Sequence, residues 1–227
     1  MKNIYCRLVL GLAFSILAAM PVSMQTTTDD DYKKTEFHVG FSSTISGSGK
    51  NVYLGENAVA VYENRPTYNG VNASGVYNMS RFFGIKADVS AGFARSNVAS
   101  KISAGGTIYD IAFRQRGSLF NLAGGVQVKD NSNSGRFKPF AHALAGVAHR
   151  RSSIENFSCT SPPGGDCSQY SPAGPKSSAT RFSAVIGGGI DLRINNRVQI
   201  RAIQVDYLPV NINGWSDNFR LGAGIVF

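Results

Sequence analysis

The sequence predicts an all-β protein, an eight-stranded antiparallel up-and-down transmembrane β-barrel. Three observations predict it. Short segments after residue 34 alternate apolar and polar side chains with a period of two, whereas helical periodicity is weak throughout. The connections between these segments alternate long and short. Charged residues fill only 16% of positions, against roughly a quarter in an ordinary soluble domain.

Composition removes the main competitors. With 43% hydrophobic and 11% aromatic residues, the chain is too apolar for a disordered protein. A helical membrane protein needs runs of about 18 apolar residues. None follows residue 24, and the mean hydropathy is −0.09. The length of 227 residues suits a single barrel.

Residues 1–24 read as a secretory signal peptide. Lys2 and Arg7 precede an apolar run from Leu8 to Ala19, and small residues with a proline follow (AAMPVS). Residues 25–34 are then a periplasmic linker, and 35–227 the barrel. Removing Lys2 and Arg7 leaves a mature charge of about +7.

The strands follow in order. Phe37, Val39, Phe41 and Ile45 form the first apolar parity; Val71, Ala73, Gly75, Tyr77 and Met79 the second, with Val76 out of phase. Residues 84–94 alternate most cleanly, Ile85, Ala87, Val89, Ala91 and Phe93 against Lys86, Asp88, Ser90 and Gly92. Residues 118–129 set Phe120, Leu122, Val126 and Val128 against Asn121, Gln127 and Lys129. Residues 138–150 are strand-like with no clear apolar parity. Residues 180–192, 197–209 and 218–227 complete eight strands. Between them, 46–69, 95–117 and 151–178 read as long loops, 80–83, 130–137 and 193–196 as short turns, and 210–217 as intermediate. Sorting loops by length is the asymmetry of outer-membrane barrels, with short turns on the periplasmic side. A soluble barrel keeps apolar residues inside. Here the second parity mixes Gly, Ser and Asn with opposite charges, so it is assigned to the lumen. Lys86, Asp88, Arg181, Asp191 and Arg220 could pair there, because eight strands enclose an interior that side chains just fill.

Cys159 and Cys167 lie in a Pro/Gly/Ser-rich stretch of a chain that reads as exported, which favours one disulfide. Metal binding would need more ligands than nearby Asp166 offers.

The sequence resembles the small outer-membrane β-barrel proteins related to the OmpA transmembrane domain and OmpX. The PFAHALAG segment, the pair IRAIQVDYLP and NFRLGAGIVF, and the terminal Phe227 carry the resemblance. It implies that Phe219, Leu221, Ala223, Ile225 and Phe227 form the signal read by the barrel-assembly machinery. A peptidoglycan-binding domain of the OmpA kind is not expected after Phe227.

Motifs for chemistry are weak. GSGK at 47–50 has Asn51 where a phosphate loop needs Ser or Thr, and Gly187 and Gly189 lie within a strand. Asp29–Asp31 lacks the turn glycine and closing glutamate of a calcium loop. His149, with Ser152, Ser153 and Glu155 nearby, is the one arrangement a lipid-editing hydrolase could use; His142 is the other histidine weighed. No catalytic residue, metal or cofactor is assigned. Basic residues outnumber acidic ones on the long-loop side by about four. Arg95, Arg114, Arg116, Arg150 and Arg151 are the candidates to pair with lipopolysaccharide phosphates. The expected function is that of a non-enzymatic, monomeric outer-membrane barrel, acting in envelope integrity or adhesion through its loops. Its expected partners are membrane lipid and lipopolysaccharide, not nucleic acid. The rival readings are a narrow passive pore and a lipid A-modifying enzyme.

Overall fold

The computed structural model describes residues 32–47, 50–53, 59–62, 65–104, 107–132, 135–160, 167, 176–211 and 215–227. Residues 1–24, read above as a signal peptide, Asp29–Asp31 and part of the GSGK stretch lie outside them. Among the described residues no helix is long and apolar enough to cross a membrane.

Eight strands form the wall: β1 (Thr35–Ser46), β4 (Thr67–Asn78), β5 (Phe83–Ala104), β6 (Thr107–Lys129), β7 (Phe137–Thr160), β8 (Lys176–Arg193), β9 (Gln199–Tyr207) and β12 (Asn218–Val226). Each pairs antiparallel with its neighbour in sequence order, and β12 returns to β1 through the register Val39↔Ile225 to Ile45↔Phe219. The ring is therefore closed, as lipid requires, since it offers nothing to free backbone groups. Four short strands lie outside the ring: β2 (Lys50–Tyr53) and β3 (Val59–Tyr62) pair with each other, while β10 (Val210–Asn211) pairs with β11 (Trp215–Ser216) and, at Val210, with Ser183 of β8.

The facing of the wall follows the pleat. Val39, Val71, Ile85, Leu122, Val147, Ile186, Ile203 and Leu221 all point outward and are exposed. Aromatic residues ring the belt at both ends. Tyr77, Phe82, Phe83, Phe137 and Phe227 mark one end; Phe93, Phe182, Tyr207, Trp215 and Phe219 mark the other. From Phe83 to Phe93, ten steps of about 3.3 Å on a strand tilted by about 40° rise roughly 25 Å, the height of the apolar band of such barrels. Strand β7 now has a facing as well. Lys138, Phe140, His142, Leu144 and Ala148 are buried inside, and Ala141, Ala143, Ala145 and Val147 face out. Val76 is no misfit, because it belongs to the inward parity and is buried.

Two of the long-loop expectations fail. Residues 95–117 are not a long loop, and residues 151–160 and 176–178 of the expected 151–178 loop are also strand. Strands β5 and β6 stay in register from Phe83↔Val128 to Ala104↔Thr107, and β7 follows β6 as far as Asp110↔Thr160. A three-stranded sheet thus rises past the aromatic ring, well beyond the membrane belt. It has its own small core of Val98, Tyr109, Ile111 and Phe113, against which Ile154, Phe157, Cys159 and Cys167 pack. Cys159 and Cys167 are bonded, with their Cα atoms 6.0 Å apart.

Candidate functional site: the barrel lumen and its rim

The half of the lumen nearer the short turns is ionic. Lys129 Nζ donates to Glu36 Oε1 at 2.9 Å, Asp191 Oδ2 at 2.8 Å and Gln199 Oε1 at 2.9 Å. Arg201 donates through Nε and Nη2 to Asp191 at 2.8 and 3.1 Å, and through Nη1 to Gln204 at 2.9 Å. Arg220 joins two carboxylates, Nη1 to Asp88 at 2.8 Å and Nε to Asp206 at 2.8 Å. His142 Nε2 lies 3.0 Å from the other Asp206 oxygen, and its Nδ1 lies 3.2 Å from Lys86 Nζ. Lys86, Lys129, Arg201 and Arg220 thus face Glu36, Asp88, Asp191 and Asp206, and all eight are buried. Within this network four cations meet four anions, while a fifth buried cation, Lys138, donates to Ser132 O at 2.9 Å.

Small residues make room for this network. A methyl group at Gly187 would overlap the Asp206 carboxylate, and one at Gly189 would meet the ring of Phe140. The Arg201 guanidinium stacks on that ring, 4.1 Å from its centroid.

The half nearer the outer mouth holds an apolar cluster, with Ser46, Asn121, Ser183, Ser216 and Asn218 buried around it. Tyr68, Ala94, Leu119, Ala123, Leu144, Ala148, Val185, Leu208 and Val210 form one buried cluster. Leu208 and Val210 belong to the last outer connection, which folds back over the mouth. Ala184 donates to Pro209, and Leu208 donates to Asn218, through main-chain hydrogen bonds. A cavity beneath Arg150 and Ser216 holds about 10 Å³. That is about the space of one water molecule.

Among the residues singled out for the lumen, Lys86, Asp88, Asp191 and Arg220 are buried there, but Arg181 is not. Arg181 keeps the inward parity yet is exposed, two residues beyond Ser183↔Val210, where the described pairing on that side of β8 ends. Its Nη1 donates to Thr180 O at 3.0 Å. Four charged members, Glu36, Lys129, Arg201 and Asp206, were not singled out from the sequence. Arg201 was out of reach of a simple alternation. A bulge in β9 leaves Ile190↔Ile203 followed directly by Asp191↔Arg201, so Arg201 and Gln204 both point inward.

The rim arginines also divide. Arg95, Arg114, Arg116 and Arg151 lie on the outward parity of β5, β6 and β7, just above Phe93 and Phe120. Arg95 sits directly opposite Arg116, and Arg116 Nε is 2.9 Å from Glu155. Arg150 departs from this group, since it points inward over the Tyr68 ring at 5.9 Å. His149 has neither serine as a partner. Thr180 Oγ1 lies 2.7 Å from its Nδ1, and Arg151 Nε donates to its Nε2 at 3.0 Å. Ser152 accepts from Gln115. Phe219, Leu221, Ala223, Ile225 and Phe227 all face outward, and Phe227 exchanges main-chain hydrogen bonds with Phe37.

The molecule is a membrane-spanning barrel. No family model and no curated protein matches the chain. Among solved structures it is similar to Ail, the attachment invasion locus protein of Yersinia pestis, in complex with the heparin analogue sucrose octasulfate. The two are 15% identical over 86% of this chain and 100% of that one, with a TM-score of 0.44. It is also similar to the N-terminal β-barrel domain of Pseudomonas aeruginosa OprF, at 11% identity over 86% of this chain and 99% of that one, TM-score 0.42. The outer membrane protein OprG from the same organism gives 9% identity over 87% and 96%, TM-score 0.43. The barrel reading stands on the closed register of its own strands, not on these likenesses.

Proposed function

We propose that the protein is a sealed, non-enzymatic barrel of the bacterial outer membrane whose contacts are made by the sheet that projects outside. The observation that carries this reading is the filled lumen, with an apolar cluster at the outer mouth and ion pairs below. A diffusion pore needs a water-filled passage, which barrels of 16–18 strands provide. Catalysis has no support in the surroundings of His149, whose two ring nitrogens are both engaged away from the serines. The chain enters the envelope through its signal peptide, and the outward-facing final strand serves the assembly machinery.

The outer-face arginines favour an anionic leaflet around the rim. Like charges directly opposite each other on a sheet repel. Arg95 and Arg116 are such a pair; Glu155 offsets Arg116, and a phosphate at Arg95 supplies the second anion through a charge-assisted hydrogen bond. Lipopolysaccharide places phosphates at this height, just above the aromatic ring. Planar-bilayer recording of the refolded protein should show no steady conductance, and lipid A from expressing cells should keep its mass. A stable single-channel step would overturn the sealed reading; a new lipid A species would overturn the non-enzymatic one.

A further inference from the structure

We propose that His38 and His142 form a proton-sensitive latch in the lumen, which holds the barrel at neutral pH and loosens it in acid. Imidazole is the side chain whose charge ordinarily changes between about pH 5 and 8. The chain has three histidines, and two of them are buried in the lumen, His38 on β1 and His142 on β7.

His142 is clamped from both sides. Lys86 Nζ donates to its Nδ1 at 3.2 Å, and Asp206 Oδ1 lies 3.0 Å from its Nε2. An ammonium can only donate, so Nδ1 keeps its lone pair and the ring proton sits on Nε2, toward the carboxylate. A second proton would set an N–H at Nδ1 against the Lys86 ammonium. The ring stacks on Phe140, and its partners in register are uncharged, Gln127 on β6 and Gly187 on β8. Asp88 of β5 completes the charges around it. Asp206 also lies on β9 two residues before Leu208 of the mouth cluster, so loosening begins directly beneath the residues that close the outer end.

His38 is held by packing alone. Both its ring nitrogens are buried, and neither meets a hydrogen-bond partner within the protein. The ring lies against Gly224 of β12, where a methyl group would come within 2.8 Å of Nε2, and Ser74 of β4 is opposite it in register. The charges that act on it are Arg201 of β9, Lys86 and Asp88 of β5, and Asp191 of β8, so two of the four repel an imidazolium. The two carboxylates are already paired, Asp191 with Lys129 and Arg201, and Asp88 with Arg220. A buried charge is tolerated only where it is paired. The unfolded chain takes up a proton on each imidazole below its ordinary value of about 6.5, whereas the barrel has no spare carboxylate for either, so acid favours the unfolded chain.

The test is the pH dependence of urea unfolding of the mature protein in detergent micelles. Between pH 7.5 and 5.0 each ring that stays uncharged in the barrel raises the unfolding constant by about thirty-fold. Relative to the parent, His38→Gln and His142→Gln should each remove one such rise, and the double variant both. His149→Gln, at the rim, should keep most of the parent's profile. Heat-modifiable migration at pH 7.5 verifies folding of each variant. Ring 15N NMR of the folded parent needs no variant: at pH 5.5 both rings should be uncharged, with the His142 proton on Nε2. A flat parent profile, a rise that persists in the double variant, or charged His38 and His142 rings in the folded barrel at pH 5.5 would overturn the latch. A rise that only His149→Gln removes would overturn its place in the lumen. Bilayer conductance at pH 7.5 bears on the sealed reading alone, so the two readings fail separately.

Discussion

Strand β6 passes through two solvents, and its side chains change polarity between them without changing sides. Within the belt its outward residues are Phe120, Leu122, Val126 and Val128, and its inward ones include Asn121, Gln127 and Lys129. Above the belt the inward residues are Tyr109, Ile111 and Phe113, and the outward ones include Asp110, Arg114 and Arg116. Strand β5 inverts at the same level, from Phe93 outward to Arg95 outward and from Ser90 inward to Val98 inward. The pleat fixes only which residues share a face. Whether that face is apolar depends on what bathes it. In lipid the apolar face looks out; in water it looks in.

The largest test of this contrast lies inside the belt. Arg220→Ala should destabilise the barrel by about 3–5 kcal/mol, because it removes the guanidinium that ion-pairs both buried carboxylates, Asp88 and Asp206. Urea unfolding in detergent micelles measures it, and a loss below about 1 kcal/mol would mean the network is hydrated. Replacing Asp88, Asp206 and Arg220 together by Asn, Asn and Met should recover part of the loss. Removing one partner costs more than removing the set.

The next test sets one parity against itself. Ile186→Arg places a guanidinium on the lipid face and should cost about 2–4 kcal/mol near the mid-plane. Asn97→Arg lies on the same outward parity of β5 but above the aromatic ring, and should cost less than about 1 kcal/mol, from the lost Arg114–Asn97 hydrogen bond and the like charges then set opposite. Refolding yield into lipid vesicles and urea midpoints read both. Equal penalties at the two sites would mean that the belt reaches Asn97 and that the projecting sheet is not in water.

The same contrast explains what was legible in the sequence. Strand number, closing order, the facing of β1, β4, β5 and β12 and the short turns all follow from alternation of a single apolar parity. Residues 95–117 escaped because the apolar parity reverses there, so a reading that follows one parity stops at Phe93 although the strand continues. In β7 the obstacle is the abundance of alanine, from Ala141 to Ala148, which suits either face. Asn156 adds a further break. Its φ is +53°, and the pairing jumps from Arg114↔Glu155 to Ala112↔Ser158, so an extra residue shifts the inward positions from Ile154 to Phe157 and Cys159. Asparagine tolerates that conformation better than most residues, but a bulge leaves no mark on composition. Arg201 was hidden by the bulge in β9 for the same reason. The ion pairs are long-range, Lys129 with Glu36 and Arg220 with Asp88, so their partners emerge only once the ring closes.

The smallest effect separates the two regions most cleanly. Cys159 pairs in register with Ile111, and Cys167 packs on the same core as Val98, Tyr109 and Phe113. The disulfide therefore fastens the outer connection onto the projecting sheet and touches nothing in the belt. Closing a loop of eight residues restricts the unfolded chain by about 2.5 kcal/mol on the entropy model. That stabilisation is confined to the projecting sheet, since the ring is held by its own closed ladder and by the lipid around it. Cys159→Ser/Cys167→Ser should accordingly keep heat-modifiable migration and the urea midpoint of the barrel within about 0.5 kcal/mol of the parent. External protease should cut the variant faster in residues 151–178, and amide exchange should rise at Ile111 and Phe113 while that of Leu122 stays unchanged. A matching loss of protection at Leu122 would show that the two regions unfold as one unit, and that the water-facing sheet steadies the membrane barrel beneath it.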